Sequence, residues 1–239
     1  MKVKICGITR LEDAEAAAEA GAWAIGLNHS AESARQVDLE AAEEIGRKLQ
    51  RRVEVAGVFV NAPLDDIVLA SERERLTLVQ LHGEEGPSFC SEVKRKTGCR
   101  VIKAFRVKDT GDVAGARAYR IGADFHLFDA HVPGARGGTG ETFDWDLVAT
   151  RKGGGVPVLV AGGLDSDNVG EAIAAANPWG VDVAGGVEAG TPGVKDPNRI
   201  ISFMEAAQRA GAIQREEREH KRAIRKIRRE VAWRSRERE

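Results

Sequence analysis

Apolar residues along this chain come in short runs, separated at regular intervals by polar, helix-favouring stretches. Eight runs read as strands: KVKIC (2–6), WAIGLN (23–28), RVEVAGVFV (52–60), TLVQLH (77–82), RVIKAF (100–105), DFHLFD (124–129), PVLVAGG (157–163) and GVDVAGG (180–186). Several are apolar throughout rather than alternating, which suits parallel strands covered on both faces. Between them the pattern predicts helices. LEDAEAAAEAG (11–21) is rich in helix formers and ends in Gly, and DLEAAEEIGRKLQ (38–50) opens on an Asp cap. APLDDIVLASERE, FCSEVKRKT, DVAGARAYRIG, DWDLVATRK, DSDNVGEAIAAA and NRIISFMEAAQRA follow in the remaining gaps.

Strands that alternate with helices imply right-handed βαβ units. Eight such units in about 208 residues predict a closed (β/α)8 TIM barrel near the small end of its range. An open doubly wound sheet is the alternative. The count of eight favours closure, and so do the glycine-rich turns after strands six, seven and eight. No Gly-rich dinucleotide fingerprint follows the first strand.

The catalytic barrel is expected to span residues 1–208, with 209–239 as an appended charged helix. The stretch IQREEREHKRAIRKIRREVAWRSRERE has helix-forming composition and few apolar residues. Ile224, Ile227 and Val231 form a narrow stripe at helical spacing.

Charge sharpens this division. The 239 residues carry 36 Lys and Arg against 37 Asp and Glu, a net charge of -1, so the molecule as a whole is not built to bind polyanions. From Arg209 onward the count is 12 basic against 6 acidic residues. That excess leaves open a nucleic acid or an acidic partner for the tail, although a solvated helix with Glu/Arg pairs is the plainer reading and nucleic acid is not expected. Three cysteines (Cys6, Cys90 and Cys99) are an odd number without metal-ligand spacing, which favours a reducing compartment. The N-terminus lacks an apolar stretch of signal-peptide length, and no run approaches the ~18 apolar residues of a membrane span. The expectation is a cytoplasmic protein with no membrane association.

In a (β/α)8 barrel the C-terminal ends of the strands form the active face. Cys6, His82, Lys103 and Asp129 are the ionisable residues expected there. Asp182 lies two residues before an Ala-Gly-Gly turn with its parity open, so buried pairing competes with catalysis. The turns GARGGTGETFDW (134–145), VAGGLDSDNV (160–169) and VAGGVEAGTPG (183–193) follow strands six, seven and eight. Consecutive glycines let backbone N–H groups close on an anion. Asp165 or Ser166 can cap the next helix, whose N-terminus adds partial positive charge. One Gly-Gly is usually only a tight turn, but three in consecutive barrel positions point to a phosphate.

A thiol and a carboxyl across a phosphate-anchored pocket suggest proton transfer, with Cys6 as general base and Asp129 as general acid. A free thiol titrates near pH ~8.5, so the base needs a modest downward shift. The acid must be kept protonated, which partial desolvation can do. The plainer readings are that Cys6 is a small core residue, that Asp129 holds its loop, and that His82 is a packed imidazole. Cys90 and Cys99 read as structural.

KICGIT (4–9), EDA (12–14), SAR (33–35), GVFVN (57–61), VQLHGEE (79–85), VIKAF (101–105), GGTGETFDW (137–145), LVAGGLDSDNV (159–169) and GVDVAGGVE…GVKD (180–196) together resemble the phosphoribosylanthranilate isomerase family of tryptophan biosynthesis. The resemblance runs in order from residue 2 to about 207. It implies a (β/α)8 barrel that performs the Amadori rearrangement of N-(5-phosphoribosyl)anthranilate, a small phosphosugar, without metal or organic cofactor. Cys6 matches the family's general base and Asp129 its general acid. Arg35 matches the arginine that contacts the anthranilate carboxylate, and His82 a supporting histidine near the substrate. Gly137, Gly138, Gly140, Gly162, Gly163, Gly185 and Gly186 match the phosphate loops. The glycine after Cys6 is expected to clear space for the sugar.

The sequence also departs from the family pattern. GLNHSAESAR stands where an aromatic-rich segment and Ser-Pro-Arg are usual, so Asn28 and His29 are expected near the anthranilate ring. Ala34 replaces the proline, which predicts a looser loop around Arg35. Ala184-Gly185-Gly186 replaces Ser-Ser-Gly and removes hydroxyl donors from the phosphate loop. A phosphosugar isomerase with a different aglycone, or an inactive barrel acting as a scaffold through its tail, are the competing readings.

Overall fold

The computed structural model describes residues 1–130, 144–150 and 155–236. Its strands are β1 (Lys2–Cys6), β2 (Ala24–Asn28), β3 (Glu54–Phe59), β4 (Leu78–Leu81), β5 (Arg100–Val107), β6 (Phe125–Ala130), β7 (Val158–Val160) and β8 (Gly180–Val183). All pair in parallel, each with the next, and β8 returns to β1 with Lys4 opposite Asp182, closing the barrel. The helices are α1 (Leu11–Glu19), α2 (Leu39–Leu49), α3 (Leu64–Arg73), α4 (Pro87–Thr97), α5 (Thr110–Gly115), α6 (Asp146–Ala149), α7 (Val169–Ala176) and α8 (Pro197–Arg236). The closed (β/α)8 barrel is therefore the architecture, and the open sheet is excluded.

Local chemistry explains where the elements begin and end. Asp38 caps α2 by accepting from the N–H groups of Glu40 and Ala41. Pro87 opens α4, and Gly98 closes it in the left-handed region at φ 69°. The seventh and eighth strands stop short of the runs predicted for them, because their Gly-Gly turns leave the ladder to form loops. The helix predicted over 112–122 begins earlier, and Gly115 marks its change to a 3-10 turn at Ala116–Tyr119. Asp165 accepts from the N–H groups of Asp167 and Asn168, and so caps the turn that leads into α7.

Strand parity sorts the side chains. In β1, Val3 and Ile5 face the helices and join the large outer core, while Lys4 and Cys6 face inward. The barrel interior holds Ala24, Ala56, Leu78, Ile102, Leu127 and Leu159. Each fully buried Leu or Ile contributes ~1.5–3 kcal/mol. Below them Trp23, Phe125 and Trp179 pack ring on ring, with centroids 4.9–5.3 Å apart, and stopper the N-terminal end. Chemistry is thereby confined to the opposite rim.

Helix α8 is 40 residues long, about 60 Å at the usual helical rise, and runs through position 209 into the charged extension without a break. Its first turns bury Ile200, Phe203, Met204 and Ala207 against the barrel. Farther along, Arg218 bonds Asn177 Oδ1 through Nε at 2.9 Å. Ile224 is exposed, and the side chains of Ile227 and Val231 lie outside the described residues. No helix among the described residues is long and apolar enough to cross a membrane.

Candidate active site

Cys6 at the end of β1, His82 just past β4 and Asp129 near the end of β6 open on one cavity of about 450 Å³ at the C-terminal rim. Arg35, from the loop after β2, lines the same cavity, as do Gly162 and Gly163 after β7 and Gly185 and Gly186 after β8. Gly162 and Gly163 take φ values of 92° and 60°, backbone that glycine adopts freely and that lets the loop approach a ligand closely. Gly137, Gly138 and Gly140 fall outside the described residues.

Asp129 is buried, and its Oδ2 lies 3.3 Å from His82 Nε2. Gln80 Nε2 stands 3.1 Å from His82 Nδ1. The amide donates there, which leaves the ring proton on Nε2, directed at Asp129. His82 thus orients the carboxyl and leaves Oδ1 available to the cavity.

Burial pushes the Cys6 thiol up from its ordinary range; Lys4 opposes that rise, Asp182 adds to it, and Lys195 opposes it more weakly. The downward shift expected from sequence is therefore not found, because desolvation outweighs the nearby cations. Asp182 faces inward and pairs with Lys4 (Nζ to Oδ1, 2.9 Å), which resolves its open parity in favour of buried pairing. Lys103 differs from expectation. It faces the outer layer, bonding Glu85 Oε2 at 2.9 Å and the Gly83 carbonyl at 2.7 Å, because β5 turns alternate residues outward.

Arg35 is held by Glu188 through two parallel bonds, Nε to Oε1 at 2.7 Å and Nη2 to Oε2 at 2.8 Å. Glu188 also accepts from the Gly193 N–H at 2.9 Å and from Lys195 Nζ at 3.0 Å. Burial alone would raise this carboxyl, but its bond to Arg35 and the donors around it hold it below the usual range. Gly7 has φ 71°, and a β-carbon there would come within 2.6 Å of Arg35 Cδ. The missing side chain makes room chiefly for the arginine stem, although Gly7 also lines the cavity.

The two polar replacements after β2 have separate fates. Asn28 lines the cavity and ties the loop that carries Arg35, its Nδ2 donating to Ser33 Oγ at 3.0 Å and its Oδ1 accepting from the Ser30 N–H at 2.9 Å. The Arg35 N–H in turn donates to Ser33 Oγ at 3.1 Å. This side-chain brace restrains the loop where the looser path was expected from Ala34. His29 points away from the cavity, stacked on Phe59 at 4.7 Å with Nε2 3.0 Å from Glu74. The expectation of His29 beside the substrate ring is therefore corrected.

Lys4, Gln80, Glu188 and Lys195 are site residues that reading the sequence by motif did not single out. Counting back two from Cys6 along β1 would have found Lys4. Among the described residues no group of His, Cys, Asp or Glu is arranged to hold a metal. Cys90 and Cys99 are free and buried, as a structural role requires.

Comparison with known proteins matches residues 3–206 to the family model of N-(5'phosphoribosyl)anthranilate (PRA) isomerase. The chain is 47% identical over 212 residues to N-(5'-phosphoribosyl)anthranilate isomerase of Citrifermentans bemidjiense, covering 89% of this chain and 99% of the relative. It is 49% identical over 208 residues to the protein of the same name from Geobacter sulfurreducens, covering 87% and 98%. Among solved structures it resembles phosphoribosyl anthranilate isomerase from Thermotoga maritima, with TM-score 0.80, 38% identity and coverage of 87% of this chain and 98% of that one. A phosphoribosyl anthranilate isomerase in complex with reduced 1-(o-carboxyphenylamino)-1-deoxyribulose 5-phosphate matches with TM-score 0.75 and 36% identity, covering 87% and 98%.

Proposed function

The chain belongs to the N-(5'-phosphoribosyl)anthranilate isomerase family, and on that premise we propose how its residues divide the reaction. The enzyme catalyses the Amadori rearrangement of N-(5'-phosphoribosyl)anthranilate to 1-(2-carboxyphenylamino)-1-deoxyribulose 5-phosphate. Asp129 gives its proton to the furanose ring oxygen. The bond from that oxygen to sugar carbon 1 breaks, leaving an iminium ion on the anthranilate nitrogen. The Cys6 thiolate then takes the proton from carbon 2 to give an enolamine. Carbon 1 takes up a proton and the carbon 2 hydroxyl releases one, which yields the ketone and restores acid and base.

The glycine loops after β7 and β8, with Gly137, Gly138 and Gly140, hold the phosphate, and Arg35 meets the anthranilate carboxylate. Anchoring both ends keeps the ring-opened chain aligned between acid and base, a proximity effect. The barrel over residues 1–208 is the catalytic unit, and 209–239 adds no catalytic group. We assign the protein to the cytoplasm, where Cys6 stays reduced, acting on a small phosphosugar as a monomer or homodimer, with no nucleic acid required.

The observation that supports this division is that Cys6 and Asp129 open on one cavity together with Arg35 and the glycine loops. Its test is turnover of Cys6→Ala and Asp129→Asn. Each is expected to lose ~10²–10⁴-fold in kcat while melting as the wild type does. Near-normal turnover in either variant would remove that residue from its role.

A further inference from the structure

A charged lysine inside a barrel is costly. Moving an ammonium out of water carries an effective penalty of several kcal/mol unless its partners are well placed. Lys4 is fully buried at the level between the apolar interior and the cavity, with its ammonium 2.9 Å from Asp182 Oδ1. One bond to one carboxylate oxygen uses only one of three ammonium donors. A β-carbon added at Gly26 on the neighbouring strand would lie 2.7 Å from Cys6 Sγ and 3.0 Å from Lys4 Nζ. Sulfur and nitrogen therefore converge on the space that Gly26 leaves open, which brings the thiol within the ammonium's reach.

We propose that Lys4, fixed in place by Asp182, is a positioning residue that supplies the counter-charge for the Cys6 thiolate. The inference rests on Cys6 being the base of the reaction. Lys4 touches no substrate and exchanges no proton during the cycle. It stays an ammonium throughout, since burial works against its charge but Asp182 and Cys6 more than offset that.

The other charged groups facing Cys6 are Asp182 from β8, which opposes ionisation, and Lys195 and Arg35, which favour it. Lys195 and Arg35 are drawn toward Glu188, whereas Lys4 shares with Cys6 the gap beside Gly26. Asp182 in turn faces Asp129 and His82 across the barrel.

The experiment is a pH titration of thiolate absorbance. The same titration of the matching Cys6→Ser protein is subtracted to remove Cys90 and Cys99. Lys4→Met tests the cation alone. Because it leaves Asp182 buried and unpaired, the neutral pair Lys4→Gln with Asp182→Asn is measured beside it. In both, the Cys6 midpoint is expected to rise by about one pH unit or more. At neutral pH kcat should fall about tenfold, with KM changed less than about twofold. A neutral-pair variant that melts normally but keeps the wild-type midpoint overturns the proposal. So does failure of that pair variant to fold, which would make Lys4 and Asp182 a structural unit only. Should Cys6→Ala retain full turnover, the acid–base reading fails instead, and the midpoint comparison still reports whether Lys4 governs the thiol.

Discussion

Arg35 and Glu188 meet fork to fork across 153 residues of sequence, joining the loop after β2 to the segment after β8 at the mouth of the cavity. Two parallel bonds fix the plane of the guanidinium as well as its position, which a single point charge would not do. In Glu188→Gln one charged acceptor is lost, and the guanidinium can rotate. KM for phosphoribosylanthranilate is expected to rise about 10- to 100-fold, with kcat falling by less than about fivefold. Steady-state kinetics at saturating and limiting substrate check this. A larger loss in kcat than in affinity would place Arg35 in the chemical step rather than in binding.

His126 lies outward from β6, edge to face with Phe105 at 5.4 Å, and its Nε2 is buried without a hydrogen-bond partner among the described residues. Burial lowers its pKa to about 4. The folded protein therefore keeps this ring neutral, whereas the unfolded chain gains a proton below pH ~6.5. The contribution is complete above about pH 6.5 and is lost as pH falls toward 4, to a total of roughly 3 kcal/mol. His126→Leu should flatten this part of the acid limb. Urea midpoints at about pH 7 and about pH 4.5 give the comparison, and an unchanged difference between them would show that His126 does not drive acid sensitivity.

The charged end of α8 packs on the barrel at its start and is exposed farther along among the described residues. Arg218 bonds Asn177, and Gly211 packs against Met1, whereas residues 222–224 and 226 are exposed. Removing 221–239 should leave kcat/KM unchanged and move Tm by less than about 2 °C. Removing 212–239 also deletes the Arg218 contacts and should cost about 1–2 kcal/mol, a drop of roughly 3–6 °C. Differential scanning calorimetry and turnover of the two truncations decide. Lost activity in the shorter deletion would give the tail a part in catalysis.

Much of this was legible in the amino-acid sequence because the signals were local. Periods of apolar residues set the strands, and Asp38 and Gly21 mark helix ends by their own chemistry. Cys6, His82 and Asp129 sit at strand ends, where a barrel gathers its functional groups. What sequence hid was pairing across distance and orientation across a strand. Lys4 reads as an ordinary charged residue until β8 brings Asp182 opposite it. Lys103 and His29 resemble site residues by position, yet one extra residue of register turns each to the outer face. Asn28 looked like a loss of aromatic surface, because its bonds to Ser30 and Ser33 exist only once the loop has folded back.

The ring stack of Trp23, Phe125 and Trp179 has a kinetic corollary. Among the described residues the stack closes the far end of the barrel, so the sugar phosphate is expected to enter, and the ketose to leave, at the opposite rim. The two molecules are tenants of the same room in turn, so accumulating product slows the enzyme by occupancy alone, competitively with fresh substrate.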